Sequence, residues 1–255
     1  MINHPSEMIS VLDKGYVRLV EPRGSDLSVV NAARVSYNKE VHKLGEKDVK
    51  LIKFLAREGH TSPFRHASLQ FECYAPLMVA RQWWKHHVAS TYVDDQNGWN
   101  ESSRRYITEE PTFYIPQPHE WRSKPDNSKQ GSGEPVDAET GEFLTQELLE
   151  YVEQGEFLYN KALAIGVAPE QARLFLPAYG MYVRFYWHVS LHAVAHFLNL
   201  RIPHDAQKEI QEYAKAVEHF VEKYFPVSYE ALKEEMEKKH QIEEMLKKGE
   251  IKIGN

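Results

Sequence analysis

The densest group of reactive side chains in the chain lies between Arg81 and Tyr106. This window combines cations, hydroxyls, an amide and a carboxylate, although the chain as a whole carries a net charge of -6. Cations and hydroxyls bind phosphate oxygens, whereas an amide and a carboxylate bind the polar edge of a base or sugar. The window therefore predicts a site for a phosphorylated, hydrogen-bonding ligand. Its candidate residues are Arg81, Lys85, His86, His87, Ser90, Asn100, Glu101, Ser102, Ser103, Arg104 and Arg105.

The order of these residues resembles the signature of the flavin-dependent thymidylate synthases, R-H-R-x-x-S-x-N-E-x-S-x-R-Y. The chain reads K-H-H-x-x-S at 85–90 and N-E-x-S-x-R-Y at 100–106. Lys85 and His87 replace two arginines of the signature. Lysine keeps a point charge but loses the planar fork, and histidine is not reliably cationic at neutral pH. Residues 91–99 stand where the signature has one residue, and their N-G turn signal predicts a loop that lengthens the rim of the site.

Two further segments resemble the same family. The turn G-H-T-S-P-F at 59–64 has a counterpart whose hydroxyl residue contacts a flavin, so the resemblance implies a flavin contact for Ser62 and a weaker one for His60. From the residues alone, the Ser62 hydroxyl equally suits local capping of the turn. Arg173 lies in A-R-x-x-L-P, whose arginine binds the substrate phosphate in the family. Without the resemblance, Arg173 is an arginine whose charge reaches the surface.

Arg201 ends the segment F-L-N-L-R, which matches the family closely. There the arginine is proposed to stabilise ionisation at N3 of a uracil. A fixed cation beside N3 and O4 favours the anionic ring and makes C5 electron-rich. On sequence alone, Arg201 equally suits the C-terminus of a helix, where a cation interacts favourably with the helix dipole. The resemblance implies that Arg201 is catalytic.

Three histidines recur at a spacing of four, at His188, His192 and His196, which predicts one face of a helix over 188–200. Such a face is typical of a polar stripe in a cleft or of a metal site. The resemblance implies a third role, in which Ser190, His192 and His196 hold the flavin where the family has Asn or Arg.

A pH dependence follows if histidines replace the missing arginine charge. His86, His87, His192 and His196 carry that charge only when protonated, and an unperturbed imidazole has a pKa of about 6.5. The affinity for FAD or dUMP is then expected to weaken between about pH 6 and about pH 8.

The resemblance implies an enzyme that converts dUMP to dTMP, with methylenetetrahydrofolate as carbon donor, FAD as cofactor and NADPH as reductant. It also implies a cytoplasmic homotetramer whose active sites are shared between subunits, and no metal. The implied dUMP-binding residues are Gln82, Lys85, Glu101, Ser102, Ser103, Arg104, Arg105, Arg173 and Arg201. The implied FAD-binding residues are His60, Ser62, Lys85, His86, His87, Glu101, Ser190, His192 and His196.

Two other functions remain open from the residues. One is a metal-dependent nucleotide phosphohydrolase that uses His188, His192 and His196, with the basic window as its phosphate site. The other is a nucleotide-binding module without catalysis. The sequence has neither a G-x-G-x-x-G fingerprint nor a G-x-x-x-x-G-K-[ST] loop, so a Rossmann or phosphate-loop protein is not indicated.

The bulk composition is that of a globular protein. The chain has 255 residues, 42% of them hydrophobic, and its acidic net charge gives no support to nucleic-acid binding. No apolar run approaches the roughly 20 residues of a membrane span, and the N-terminus does not resemble a signal peptide. The single cysteine, Cys73, excludes an internal disulfide and suits a reducing cytoplasm. Its apolar surroundings disfavour a role as a nucleophile.

The pattern of apolar residues predicts a mixture of strands and helices. The resemblance implies one α+β domain over 1–255, with a mixed or antiparallel sheet flanked by helices, as in the thymidylate synthase complementing proteins. A surface insertion is expected at 117–142 and a charged helical extension at 233–255. Predicted strands are 15–20, 66–74 (broken by Ala75-Pro76) and 181–187. Predicted helices are 26–35, 48–58, 77–87, 143–166, 169–175, 188–200, 206–224 and 228–248.

Overall fold

The structure is a computed structural model that describes residues 7–86, 99–102, 110–125 and 131–250. It has the predicted α+β fold, with one antiparallel sheet whose inner face is covered by helices. Among the described residues, no helix is long and apolar enough to cross a membrane.

Within the described ranges, five strands form the sheet, in the order β1-β2-β3-β5-β4, and every neighbouring pair is antiparallel. Alternate residues of the three central strands are buried, as expected where one face packs against the core. The strands are β1 Met8–Val11, β2 Gly15–Arg23, β3 Ser68–Pro76, β4 Trp99–Glu101 and β5 Tyr182–Ser190.

The helices follow the predicted order with shifted ends. Helix α2 ends as predicted before Gly59, whose φ of +67° is a left-handed conformation that glycine adopts without strain. The helices are α1 Asp26–Arg34, α2 Glu46–Arg57, α3 Leu77–Trp83, α4 Ala138–Ala164, α5 Pro169–Ala172, α6 Leu191–Arg201, α7 Lys208–Tyr224 and α8 Pro226–Lys247.

The core between sheet and helices is rich in aromatic side chains. Trp83 of α3 is fully buried and stacks on Phe197 of α6, with ring centroids 5.0 Å apart. The edge of Trp187 of β5 meets Trp83 at 5.3 Å and Phe197 at 5.2 Å. One buried cluster thus joins α3, β5 and α6. This packing fixes the position of the last turn of each of the two helices.

The structure differs from the expected boundaries at Pro76 and at Trp99, and it contains one strand that was not predicted. Ala75-Pro76 does not break β3, because Pro76 is its last residue, where a missing N–H is tolerated, and still pairs with Tyr182. Trp99 belongs to β4 instead of a loop, since its ring stacks on Phe185 at 3.9 Å. Strand β1 was not predicted, because its four residues M-I-S-V are too few to give a clear alternation.

A buried carboxylate links the two ends of the fold. Asp26 begins α1, and its oxygens accept hydrogen bonds from the backbone N–H groups of Val227 (3.2 Å) and Ser228 (2.8 Å) in the first turn of α8. These are N–H groups that a helix leaves without an intrahelical partner, and no side chain of α8 caps them.

We predict that Asp26→Ala lowers the free energy of unfolding by about 1–3 kcal/mol, because it removes a charged acceptor and leaves buried donors unsatisfied. Urea unfolding measures the change. The control is Glu46→Ala, an exposed acidic residue that also begins a helix, which is expected to change stability by less than about 0.5 kcal/mol. Equal stability of Asp26→Ala and the native chain would contradict this capping role.

Candidate active site

The structure brings three of the predicted site residues into direct contact. The Nε–H of Arg201 donates to Nε2 of His86 over 3.3 Å. The ring of His196 lies 6.0 Å from that of His86, centroid to centroid. His86 is buried, Arg201 is half-buried and His196 is exposed. His86 lies more than 100 positions before the other two residues in the sequence, and the shared core of α3 and α6 brings them together.

His86 occupies a fixed position just beyond α3. Its backbone N–H donates to the carbonyl of Trp83 over 2.8 Å, and its own carbonyl accepts from the indole N–H of Trp187 over 3.2 Å. The imidazole packs edge-on against Phe197 at 5.1 Å. A ring held at its backbone and at one face has little rotational freedom, so its nitrogens point in defined directions.

Arg201 supplies a permanent cation at this place. Burial lowers the pKa of its guanidinium from the ordinary value, but arginine stays protonated at neutral pH. Among the described residues, its only hydrogen bond is the one from Nε to His86. The two terminal nitrogens are therefore available to a ligand that offers acceptor atoms.

The predicted flavin residues of α6 lie beside the turn that follows α2. The N–H of Leu191 donates to the carbonyl of Ala67 over 2.9 Å, which joins the start of α6 to the residues after Pro63–Arg65, a short 3₁₀ helix. Ser190 is the N-cap of α6, and its buried hydroxyl accepts from the N–H of Ala193. Ser62 and His60 are exposed on the same turn segment.

This arrangement favours the neutral form of His192. Burial lowers its pKa, and the nearby charges of Arg65 and His196 lower it further. Its titration therefore shifts below the ordinary value of about 6.5, away from the range of about pH 6 to 8 in which we expected histidine charge to control binding. Arg65, which the sequence analysis did not single out, provides the permanent cation near His192.

The expected three-histidine helical face was wrong. His188 lies in β5, opposite Gln70, and its Nε2 is 3.1 Å from the hydroxyl of Ser68. Only His192 and His196 belong to α6. A spacing of four residues is an even number, so it fits one face of a strand as well as one face of a helix. In the part of the chain that the structure describes, no three His, Cys, Asp or Glu side chains lie close enough to hold a metal ion.

The predicted nucleotide residues of β4 lie on the adjoining edge of the sheet. Ser102 makes two hydrogen bonds with the backbone of Arg184. The Ser102 N–H donates to the Arg184 carbonyl (2.8 Å), and the Ser102 hydroxyl accepts from the Arg184 N–H (3.3 Å). Loss of solvent around Glu101 raises its pKa, while a hydrogen bond from Trp99 and the charge of Arg81 oppose the rise. Glu101 is thus a carboxylate with a nearby cation.

Gln82 pairs with a residue that the sequence analysis did not assign. Its side-chain amide donates to the amide oxygen of Gln207, the residue before α7. Gln207 lies in the segment H-D-A-Q-K-E-I at 204–210, to which the sequence analysis gave no role. Lys85 is exposed one residue before His86.

The remaining predicted residues are not part of this group. Arg173 is exposed, and its Nε–H donates to the carbonyl of Glu170 over 3.1 Å. No described contact joins it to Arg201. Five other predicted residues lie outside the described part of the chain: His87, Ser90, Ser103, Arg104 and Arg105.

Comparisons with known proteins agree with one another. The family described as "Thymidylate synthase complementing protein" matches residues 18–227. A "Flavin-dependent thymidylate synthase" of Thermus thermophilus is 40% identical over 232 residues, which cover 89% of this chain and 79% of that protein. One of Thermotoga neapolitana is 40% identical over 223 residues and covers 88% and 93%.

A solved structure is similar over most of the chain. It is the UMP/dUMP methylase PolB from Streptomyces cacaoi bound with 5-Br dUMP, with a TM-score of 0.72 and 30% sequence identity. The match covers 88% of this chain and 96% of that one.

The only cysteine is expected to be inert. Cys73 is fully buried in β3, and burial raises the pKa of its thiol well above the ordinary value. Because the thiolate is the reactive form, we predict that a disulfide reagent modifies native Cys73 orders of magnitude more slowly than the urea-unfolded chain. Similar rates of thiol modification in the two states would show that Cys73 is accessible.

Proposed function

The chain belongs to the flavin-dependent thymidylate synthase family, and we propose that it methylates dUMP to dTMP with FAD as its cofactor. Methylenetetrahydrofolate supplies the carbon, NADPH supplies the reducing equivalents and tetrahydrofolate is released. The observation that carries the proposal is the hydrogen bond from Arg201 to His86, whose ring lies beside that of His196, because it joins the F-L-N-L-R segment to the K-H-H part of the signature. The relatives and the solved structure are named for the same chemistry.

The residues around α6 fit a flavin dinucleotide. Its pyrophosphate is anionic and its ring edge offers acceptors and donors. The start of α6 combines the cation of Arg65 with the imidazole of His192, and the ring of His196 is exposed one turn further along. Ser62 and His60 lie on the neighbouring turn. We propose that these residues hold FAD, together with Lys85, His86, His87, Glu101 and Ser190. When bound, FAD supplies the two-electron chemistry that amino-acid side chains lack.

Arg201 is the residue that we propose acts on the uracil. Its guanidinium is half-buried, permanently charged and oriented through Nε, so the terminal nitrogens can donate to N3 and O4 of the ring. Negative charge that develops on the ring is stabilised by a cation already in place, which costs no reorganisation during the reaction. The proposed dUMP contacts are Gln82, Lys85, Glu101, Ser102, Ser103, Arg104, Arg105, Arg173 and Arg201.

The protein need not supply a nucleophile. Cys73 lies in the core, and its raised pKa keeps it protonated. The reducing equivalents come from the bound cofactor, so the protein's contribution is to orient the substrates and stabilise charge. A free cysteine and nucleotide substrates support a cytoplasmic location.

We propose that the active enzyme is a homotetramer with shared sites. Helix α4 and the residues after α5 expose large apolar side chains, of which Leu174 is 82% and Tyr179 is 70% exposed. Such a surface is typical of an interface. Arg173 lies within it, next to Leu174, where it can reach the active site of another subunit. The other exposed apolar residues of this surface are Phe143, Leu149, Tyr151, Phe157, Ile165 and Phe175.

We predict that Arg201→Ala lowers the rate of dTMP formation at least about a hundredfold, because it removes the charge that stabilises the ionised uracil. Reduction of bound FAD by NADPH should largely survive, since Arg201 acts on the uracil. Stopped-flow absorbance follows the flavin and chromatography follows dTMP. Near-native turnover by Arg201→Ala would contradict the catalytic role of Arg201.

Shared sites predict subunit complementation. Arg173→Ala and Arg201→Ala are each expected to be inactive as pure oligomers. When the two variants are co-expressed, some mixed sites receive an intact Arg173 from one subunit and an intact Arg201 from another, so part of the activity returns. Mixing two preparations of Arg201→Ala alone is the control. If verified mixed oligomers recover no activity, both arginines belong to a site that is made by one chain.

A further inference from the structure

We infer that His86 is a positioning residue for Arg201, in addition to any contact that it makes with the flavin. This inference rests on the proposed function, because it concerns how Arg201 is presented to the uracil of dUMP. The hydrogen bond between Arg201 Nε and His86 Nε2, 3.3 Å long, is the observation that carries it.

The hydrogen bond defines the state of both side chains. An arginine nitrogen can only donate, so Nε2 of His86 must be the acceptor and the ring proton resides on Nδ1. His86 is therefore neutral when it holds Arg201. Protonation of both ring nitrogens would remove the acceptor and place a second cation beside the guanidinium.

The same bond sets the direction of the guanidinium. This group is planar, and its nitrogens form a rigid fork. When Nε is held at His86, the outer edge, which carries the two terminal nitrogens, points away from His86. Two acceptor atoms of one ring, such as O4 of a uracil and its N3 once the N3 proton has left, match that edge. An arginine side chain held in this way loses less conformational entropy when a ligand binds than an arginine side chain that is free to rotate.

His86 is itself suited to act as a fixed support. It is 8% exposed, its carbonyl accepts from Trp187, and its ring packs against Phe197. Phe197 and Arg201 are four residues apart in α6 and lie on the same side of the helix. One imidazole therefore packs against one turn of α6 and accepts a hydrogen bond from the next.

The test is a double-mutant cycle read out as dUMP affinity. The single variants are His86→Leu, which removes the acceptor, and His86→Gln, which keeps an acceptor on a flexible chain. Both changes are then repeated in the Arg201→Ala background. Calorimetry measures the dissociation constant of dUMP at saturating FAD, whose own affinity is titrated separately by fluorescence. His219→Leu, an exposed histidine of α7, is the matched control and should bind dUMP like the native chain.

We expect His86→Leu to weaken dUMP binding by about tenfold or more, since small displacements of a positioned group have effects of this order. His86→Gln should recover part of the loss. In the Arg201→Ala background, His86→Leu should have no further effect. If dUMP binds that background too weakly to titrate, Arg201→Lys serves as the second background, with the same expectation.

An equal loss of affinity with and without Arg201 would overturn the inference, because His86 would then act independently. Unchanged dUMP affinity in folded His86→Leu would also overturn it. Melting curves establish that each variant is folded, and a buried His86→Leu that does not fold leaves His86→Gln to decide the cycle. Failure of the native chain to bind dUMP is a separate result that would refute the proposed function itself.

Discussion

The contact of Trp83 with Phe197 and Trp187 is the interaction on which the site depends. It is fully buried, and it fixes the end of α3 against both β5 and α6. His86 follows α3 and Arg201 closes α6, so the distance between these two polar groups is set by aromatic packing below them. A core packed as tightly as a crystal of small molecules transmits displacements instead of absorbing them. Loosening this cluster would therefore change the chemistry without touching a polar side chain.

The charges of the site follow from burial. Arginines at 65 and 201 remain cationic, whereas burial and neighbouring charge lower the pKa of His192. The replacement of two signature arginines by Lys85 and His87 thus leaves permanent positive charge in the site, carried by Arg65 and Arg201. His86 accepts a hydrogen bond from Arg201. The permanent charges of Arg65 and Arg201 explain how a chain with an acidic net charge can present a local site for anionic ligands.

Much of the fold was predictable because its signals are local. The alternation of G-Y-V-R-L-V gave β2, and Gly59 gave the end of α2. His188 was wrongly predicted to lie in a helix, because a spacing of four residues fits one face of a strand as well as one face of a helix. The helix begins only after its N-cap, Ser190, so His188 lies in the preceding strand. The signature gave the residue types of the site, but the partnerships of Arg201 with His86 and of Gln82 with Gln207 span more than 100 positions and follow only from packing.

In the proposed reaction, reducing equivalents reach the methyl group from the flavin and not from the folate. The most direct test is the identity of the folate product when purified protein, FAD, NADPH, dUMP and methylenetetrahydrofolate react without oxygen. The expected result is one tetrahydrofolate and one oxidised NADPH for each dTMP, and no dTMP when FAD is removed. Formation of dihydrofolate in equal amount to dTMP, independent of FAD, would contradict it.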